Sequence, residues 1–205
     1  CYEAEDAGIT RMGREVIAEM NRVGMVIDMS HSAERSTLDA IEISTRPIAI
    51  THANPKSWRD VARNKSDAVL QALAAKGGML GLSLYPHHLK DGSACTLESF
   101  TEMVRRLADR IGIDHIGIGS DLCQDQPDSV VEWMRVGRWT RGGVDIGLGR
   151  AVFPPQTAWF RDNRDFGKIA AGLGAAGFSE VDTAKVLGGN WARFFAVSFC
   201  PVPKS

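Results

Sequence analysis

Met25-Val-Ile-Asp-Met-Ser-His31 and Pro47-Ile-Ala-Ile-Thr-His52 are short, largely apolar runs that each end on a histidine, and His115-Ile-Gly-Ile-Gly-Ser-Asp121 ends in the same way on a carboxylate. A continuous apolar run of this length reads as a strand of a parallel sheet covered on both faces. Parallel α/β barrels present their functional side chains from the C-terminal ends of the strands. His31, His52 and Asp121 occupy that position in three successive candidates.

Working outward from these runs, helical periods fill the gaps. Thr10 is placed to cap a helix with Met12, Val16, Met20 and Val23 at helical spacing, and Gly24 ends it just before the strand Met25 to Met29. Ser32 to Ile43 reads as a second helix, leading to a strand over Pro47 to Thr51. Ser66 or Asp67 caps a third helix carrying Val69, Leu70 and Leu73, which Gly77-Gly78 stops before a strand over Met79 to Leu84. Thr96 precedes an amphipathic helix with Leu97, Phe100, Val104, Leu107 and Ile111 on one face, followed by a strand over Ile116 to Gly119. Strands alternating with helices predict an α/β fold with a parallel sheet. A (β/α) barrel of the TIM type has eight strands, so the chain supplies about four of the eight βα units. From about 122 to 165 the rhythm breaks into an excursion holding Trp133, Trp139, Trp159, Gly142-Gly143 and Pro154-Pro155, read as one short helix within packed loop. Helices near Phe166 to Ala176 and after Ser179, where Asp182 completes a variant capping box, close the chain.

Composition narrows the classes. With 205 residues, 44% of them hydrophobic, the chain can bury a sizeable core. A net charge of −1 with no basic run beyond Arg105-Arg106 argues against a nucleic-acid partner. No apolar stretch reaches the ~20 residues needed to span a bilayer, so a soluble protein is expected. Cys1, Cys95, Cys123 and Cys200 form no CxxC pair, which favours a reducing compartment and hence the cytoplasm. Beginning on Cys rather than Met marks the sequence as a processed product, a fragment, or one lacking upstream residues.

Each candidate residue has a plainer alternative. His31 or His52 alone reads as readily as a capping or core histidine, but equivalent positions on consecutive strands suit a shared metal ion. Asp121 is a catalytic carboxylate or a turn aspartate. Arg63, on the loop after His52, is a carboxylate clamp or a solvated cation. His87-His88 follow the third strand through Tyr85-Pro86 and either line the same mouth or form a polar rim. His115 opens its strand at the opposite end, which argues against catalysis, and Cys123 reads as a packing residue.

Taken together, Gly8-Ile-Thr-Arg-Met-Gly-Arg14, Glu19-Met-Asn-Arg-Val-Gly24, Ile27-Asp-Met-Ser-His31, Thr51-His52-Ala-Asn54, Arg63-Asn64, Gly117-Ile-Gly-Ser-Asp121 and Leu187-Gly-Gly-Asn190 resemble the carboxy-terminal half of the membrane dipeptidase (renal dipeptidase) family of zinc peptidases. The steps of 21 residues from His31 to His52 and 11 from His52 to Arg63 fit as well. The resemblance implies a distorted TIM-type barrel that hydrolyses dipeptides with a metal-activated hydroxide and two zinc ions per complete site. It implies that His31 and His52 ligate one zinc, Arg63 binds the substrate carboxylate, Tyr85 and His88 lie by the bound dipeptide, and Asp121 handles a proton. Residues 1–205 are then the second half of one barrel domain. The family's His-x-Asp pair, bridging glutamate and a further histidine belong to the first half, and none is present here. Leu122-Cys123-Gln124 also replaces the family's frequent Phe-Asp-Gly after Asp121. Two rival expectations stand beside this one: a non-catalytic half-barrel that associates with itself, for instance as a homodimer, or with a partner, and an amidohydrolase acting on another amide.

Overall fold

The structure, a computed structural model, describes residues 1–2, 5–136 and 152–199. Trp139, Gly142-Gly143 and Cys200 lie outside the described residues. Helices α1 (Arg11–Val23), α2 (Glu34–Ile43), α3 (Asp67–Ala75) and α4 (Leu97–Ile111) alternate with strands β1 (Ala49–Ala53), β2 (Met79–Leu82) and β3 (Ile116–Ile118). The strands pair in parallel in the order β1-β2-β3. The excursion contributes α5 (Asp128–Val136), and α6 (Phe166–Ala175), α7 (Glu180–Ala184) and α8 (Asn190–Ser198) follow it.

The caps form where the residue types demand. Thr10, Ser66, Thr96 and Ser179 each accept a backbone N–H in the first turn of α1, α3, α4 and α7. Gly24 takes the left-handed conformation, at φ 73°, that ends α1 and turns the chain toward the sheet.

The expected first strand is shorter than its sequence suggests. Residues 25–29 contribute one parallel bridge, Asp28 with Ala49, in which Ala49 N–H donates to Ile27 O and Met29 N–H to Ala49 O, each at 2.9 Å. Side chains then interrupt the ladder. The Thr51 N–H goes to the Asp28 carboxylate, and the Met29 carbonyl accepts from Lys65 Nζ. On the other side of β1, Ile50 pairs with Leu80 but Ala53 with Leu82, so Thr51 and His52 bulge opposite the single residue Gly81.

Alternation along the strands separates two apolar clusters. Ile27, Ile48, Ile50, Leu80, Leu82 and Ile116 belong to the main core with Leu70, Leu73, Phe100 and Leu107 of α3 and α4. Ala49 and Met79 join Phe194, with Trp191 and Phe195 against them. Trp191 donates Nε1–H to Ile118 O at 3.0 Å and fills space that a side chain at Gly117 would need. Asn190 is 1% exposed and donates to Ile113 O and Ile116 O, tying α8 to β3.

Helix α1 buries Ile17 and Asn21 and leaves Met12, Val16 and Val23 exposed, so its apolar spacing does not mark the face that packs. In the excursion, Trp159 is packed on Phe100 and donates Nε1–H to Cys95 O at 2.8 Å, whereas Trp133 is exposed.

Candidate metal centre

Two strand ends and one loop converge at the C-terminal edge of the sheet. His31 Nε2 and His52 Nε2 are 3.0 Å apart. Arg63 Nη2 lies 3.2 Å from His31 Nε2, and Nη1 donates to the Ser30 carbonyl.

The hydrogen-bond partners assign the protons. Guanidinium is only a donor, so His31 Nε2 receives from Arg63 through its lone pair. Asp28 Oδ2 accepts the Thr51 hydroxyl at 2.7 Å and Oδ1 accepts the Ser30 hydroxyl, so both hydroxyl protons are committed to the carboxylate. Thr51 Oγ1 also lies 2.8 Å from His52 Nδ1, and with its own proton engaged it accepts there. His52 is therefore the Nδ1–H tautomer, with a lone pair on Nε2. The two Nε2 atoms are 3.0 Å apart, and the one lone pair of His31 Nε2 is shared between that approach and the Arg63 guanidinium. In a tetrahedral zinc site with Zn–N bonds of 2.0–2.1 Å, two ligand nitrogens are about 3.3 Å apart. The imidazoles thus fit one ion's partial ligand set. Among the described residues no group of three or more His, Cys, Asp or Glu side chains is gathered tightly enough to hold a metal, so this pair needs further ligands to complete a site.

The surroundings favour a neutral imidazole at His31. Partial burial, then the positive charge of Arg63, lowers the pKa of His31. Arg63 is 4% exposed, and burial pulls its pKa down while the negative charge of Asp121 pulls it back. Partial burial pushes the Asp28 carboxyl up, but hydrogen bonds from Ser30 and Thr51 outweigh this and keep it below the usual range.

Asp121 acts electrostatically on both His31 and Arg63. Its φ of 52° is a left-handed conformation that non-glycine residues seldom adopt, an outlier of the kind that clusters at functional sites. His88 is buried beside Ser83, with Nδ1 2.8 Å from the hydroxyl, and burial followed by the charge of Arg63 pushes its pKa down to about 3. The Tyr85 ring packs against His87 and His88. His115 is at the opposite strand end, with Nδ1 2.9 Å from Gly78 O.

Four supporting groups carried no label in the sequence reading: Asp28, Thr51, Lys65 and Asn54. Lys65 is buried, and its Nζ donates to Met29 O at 2.9 Å and Ser32 O at 2.7 Å. Burial, then the charge of Arg63, lowers its pKa to about 8. Asn54 joins the ends of β1 and β2 by donating to Ser83 O and His88 O and accepting from Ser83 N–H. One signal was available. Asp28, Ser30 and Thr51 are polar residues inside runs that otherwise read as buried strand.

Fold and site together define the class: an α/β protein whose parallel strands deliver paired imidazoles and a buried guanidinium to one edge of the sheet. Residues 1–139 match the membrane dipeptidase family (Peptidase family M19), and the chain belongs to that family. Dipeptidase tcpJ of Claviceps purpurea is 36% identical over 116 residues, 56% of this chain and 27% of that protein. A solved amidohydrolase from Pseudomonas aeruginosa superposes with a TM-score of 0.85 at 31% identity, over 97% of this chain and 60% of its own. A metallo peptidase from Rhodobacter sphaeroides, liganded with a phosphinate mimic of the dipeptide L-Ala-D-Ala, superposes with a TM-score of 0.74 at 24% identity, over 94% of this chain and 48% of its own. The chain thus spans between 27% and 60% of the length of these relatives.

Proposed function

We propose that the chain is the carboxy-terminal half of a zinc dipeptidase barrel, supplying about four of its eight βα units, with residues outside these 205 completing the ligand set. The observation that carries this reading is the approach of His31 Nε2 and His52 Nε2 to 3.0 Å, in a chain of the membrane dipeptidase family. His31 and His52 would hold one zinc of a two-ion site. When bound, the metal supplies Lewis acidity and lowers the pKa of a coordinated water toward ~7.

The chain's own side chains do the rest. Arg63 binds the free carboxylate of the dipeptide, its buried guanidinium supplying a charge-assisted donor. Tyr85 and His88 flank the substrate, with His88 held neutral by its burial. Asp121 takes the proton of the attacking water and returns it to the leaving amine nitrogen as the carbonyl carbon gains its C–O bond and loses its C–N bond.

The test is zinc content and dipeptide hydrolysis by the full-length polypeptide. His31→Ala and His52→Ala are each expected to lower zinc affinity and to reduce activity at least about 100-fold, a loss typical of removing a directly acting catalytic group. Wild-type activity in either variant would falsify the assignment. The similarity to the amidohydrolase keeps a second substrate class in view: turnover of a cyclic amide with none of dipeptides would favour it.

A further inference from the structure

Asp28 touches neither His52 nor any position assigned to substrate, yet four donors converge on its two oxygens. Oδ1 accepts Ser30 N–H at 3.0 Å, the Ser30 hydroxyl, and Thr51 N–H at 3.0 Å, while Oδ2 accepts the Thr51 hydroxyl at 2.7 Å. Only an ionised carboxylate accepts at every one of these contacts. The same residue ends the backbone ladder between residues 25–29 and β1, because it takes the Thr51 N–H that would otherwise continue the pairing. The ladder stops one residue before His52.

We infer that Asp28 is a positioning residue that sets the tautomer of His52 through Thr51. This rests on the metal reading above for its purpose, but not for its geometry. The relay has one direction: Asp28 accepts from Thr51, and Thr51 accepts from His52 Nδ1–H, which leaves Nε2 bare toward His31. Such outer partners orient a histidine ligand and fix which nitrogen is free.

An isosteric change reverses the relay. In Asp28→Asn the amide oxygen belongs at the Oδ1 position, where three donors meet, which puts the amide NH2 at the Oδ2 position, facing Thr51. Thr51 then accepts from Asn and donates its own proton to His52 Nδ1. His52 becomes the Nε2–H tautomer, its proton pointing at His31 Nε2 in competition with Arg63 and occupying the space where the cation would bind. A carboxylate needed only for folding would not produce this switch.

The experiment is nitrogen-15 NMR of the histidine rings in the metal-free full-length protein, paired with zinc affinity from chelator competition. Wild type is expected to show His52 as Nδ1–H and Asp28→Asn as Nε2–H. Thr51→Val, which cuts the relay without reversing it, is expected to give a mixture, and Thr51→Ser to restore the wild-type tautomer. Zinc affinity should fall about 10- to 100-fold in Asp28→Asn and Thr51→Val, and recover in Thr51→Ser. An Nε2–H tautomer in wild type, or one tautomer throughout the folded variants, overturns the inference. If the tautomers switch while wild type binds no zinc, the metal reading fails and the relay stands. If wild type binds zinc and the tautomers do not switch, the relay fails alone.

Discussion

The two histidine-bearing strand ends are held by opposite means. At the His31 end, cations hold backbone carbonyls: Lys65 binds those of Met29 and Ser32, and Arg63 binds that of Ser30. At the His52 end an anion holds side-chain hydroxyls, with Asp28 acting through Ser30 and Thr51. The reason lies in the backbone. Beyond the Met29 N–H the chain leaves the ladder, so the carbonyls of Met29, Ser30 and Ser32 take donors from outside the sheet. His52 sits in a bulge of a paired strand, where the outstanding requirement is ring orientation. The segment outside the ladder is held through its carbonyls, and the paired strand through the hydroxyl and amide of Thr51.

The strongest way to break the His52 end alone is Gly119→Ala. A Cβ there would collide with the Thr51 carbonyl oxygen, which the bulge pushes toward β3. The expected cost is ~3 kcal/mol or more, at the upper end for overpacking a fixed backbone contact. Denaturant unfolding measures it, and a loss below ~1 kcal/mol would show that the bulge relaxes freely.

Lys65→Met tests the His31 end. It leaves the Ser32 carbonyl without its lysine donor at a cost of roughly 1–3 kcal/mol, partly offset because a buried charge is removed. Amide exchange at residues 29–32 should quicken while the His52 tautomer stays unchanged; a change in that tautomer would show that the two ends are coupled. The pH dependence has a definite sign. The folded-state pKa of Lys65 is lowered from 10.5 to about 8, so between these values the unfolded chain binds more protons and stability rises with pH. Lys65→Met should flatten that rise.

The smallest effect at neutral pH belongs to His88, whose carbonyl is shared by Asn54 and Asn64 and so links both ends. His88→Gln keeps that carbonyl and is expected to cost about 1 kcal/mol, the value of one neutral side-chain hydrogen bond. Its signature is in acid. The folded-state pKa is lowered from 6.5 to about 3, so stability is lost as pH falls through this window. An unfolding midpoint that responds to acid equally in wild type and His88→Gln would contradict the burial argument.

Much of the frame was legible. The caps at Thr10, Ser66 and Thr96 form as their residue types suggest, and β1, β2 and β3 lie within two residues of the expected strand starts. The expected strand over 25–29 shrank to a bridge because Asp28 and Lys65 take up groups the ladder would use. The exposed Met12, Val16 and Val23 show that spacing reveals an apolar stripe without saying what meets it. At the site, His31 and His52 come together from two strand ends and Arg63 reaches them from the loop after His52. Asp28 was passed over because a polar residue in a short strand carries no local mark of its partner.

By itself, then, the sequence determined the caps of α1, α3, α4 and α7 and the starts of the three strands to within two residues, because caps, periodicity and strand patterning depend on near neighbours along the chain. The tertiary structure alone decided the bulge at Thr51 and His52, the need for glycine at 81 and 119, and the engagement of the Thr51 hydroxyl by both Asp28 and His52 Nδ1. Those depend on Asp28 meeting Thr51 across 23 residues and on Thr51 meeting Gly119 across the sheet. Such contacts are fixed only when distant segments are packed at van der Waals distance.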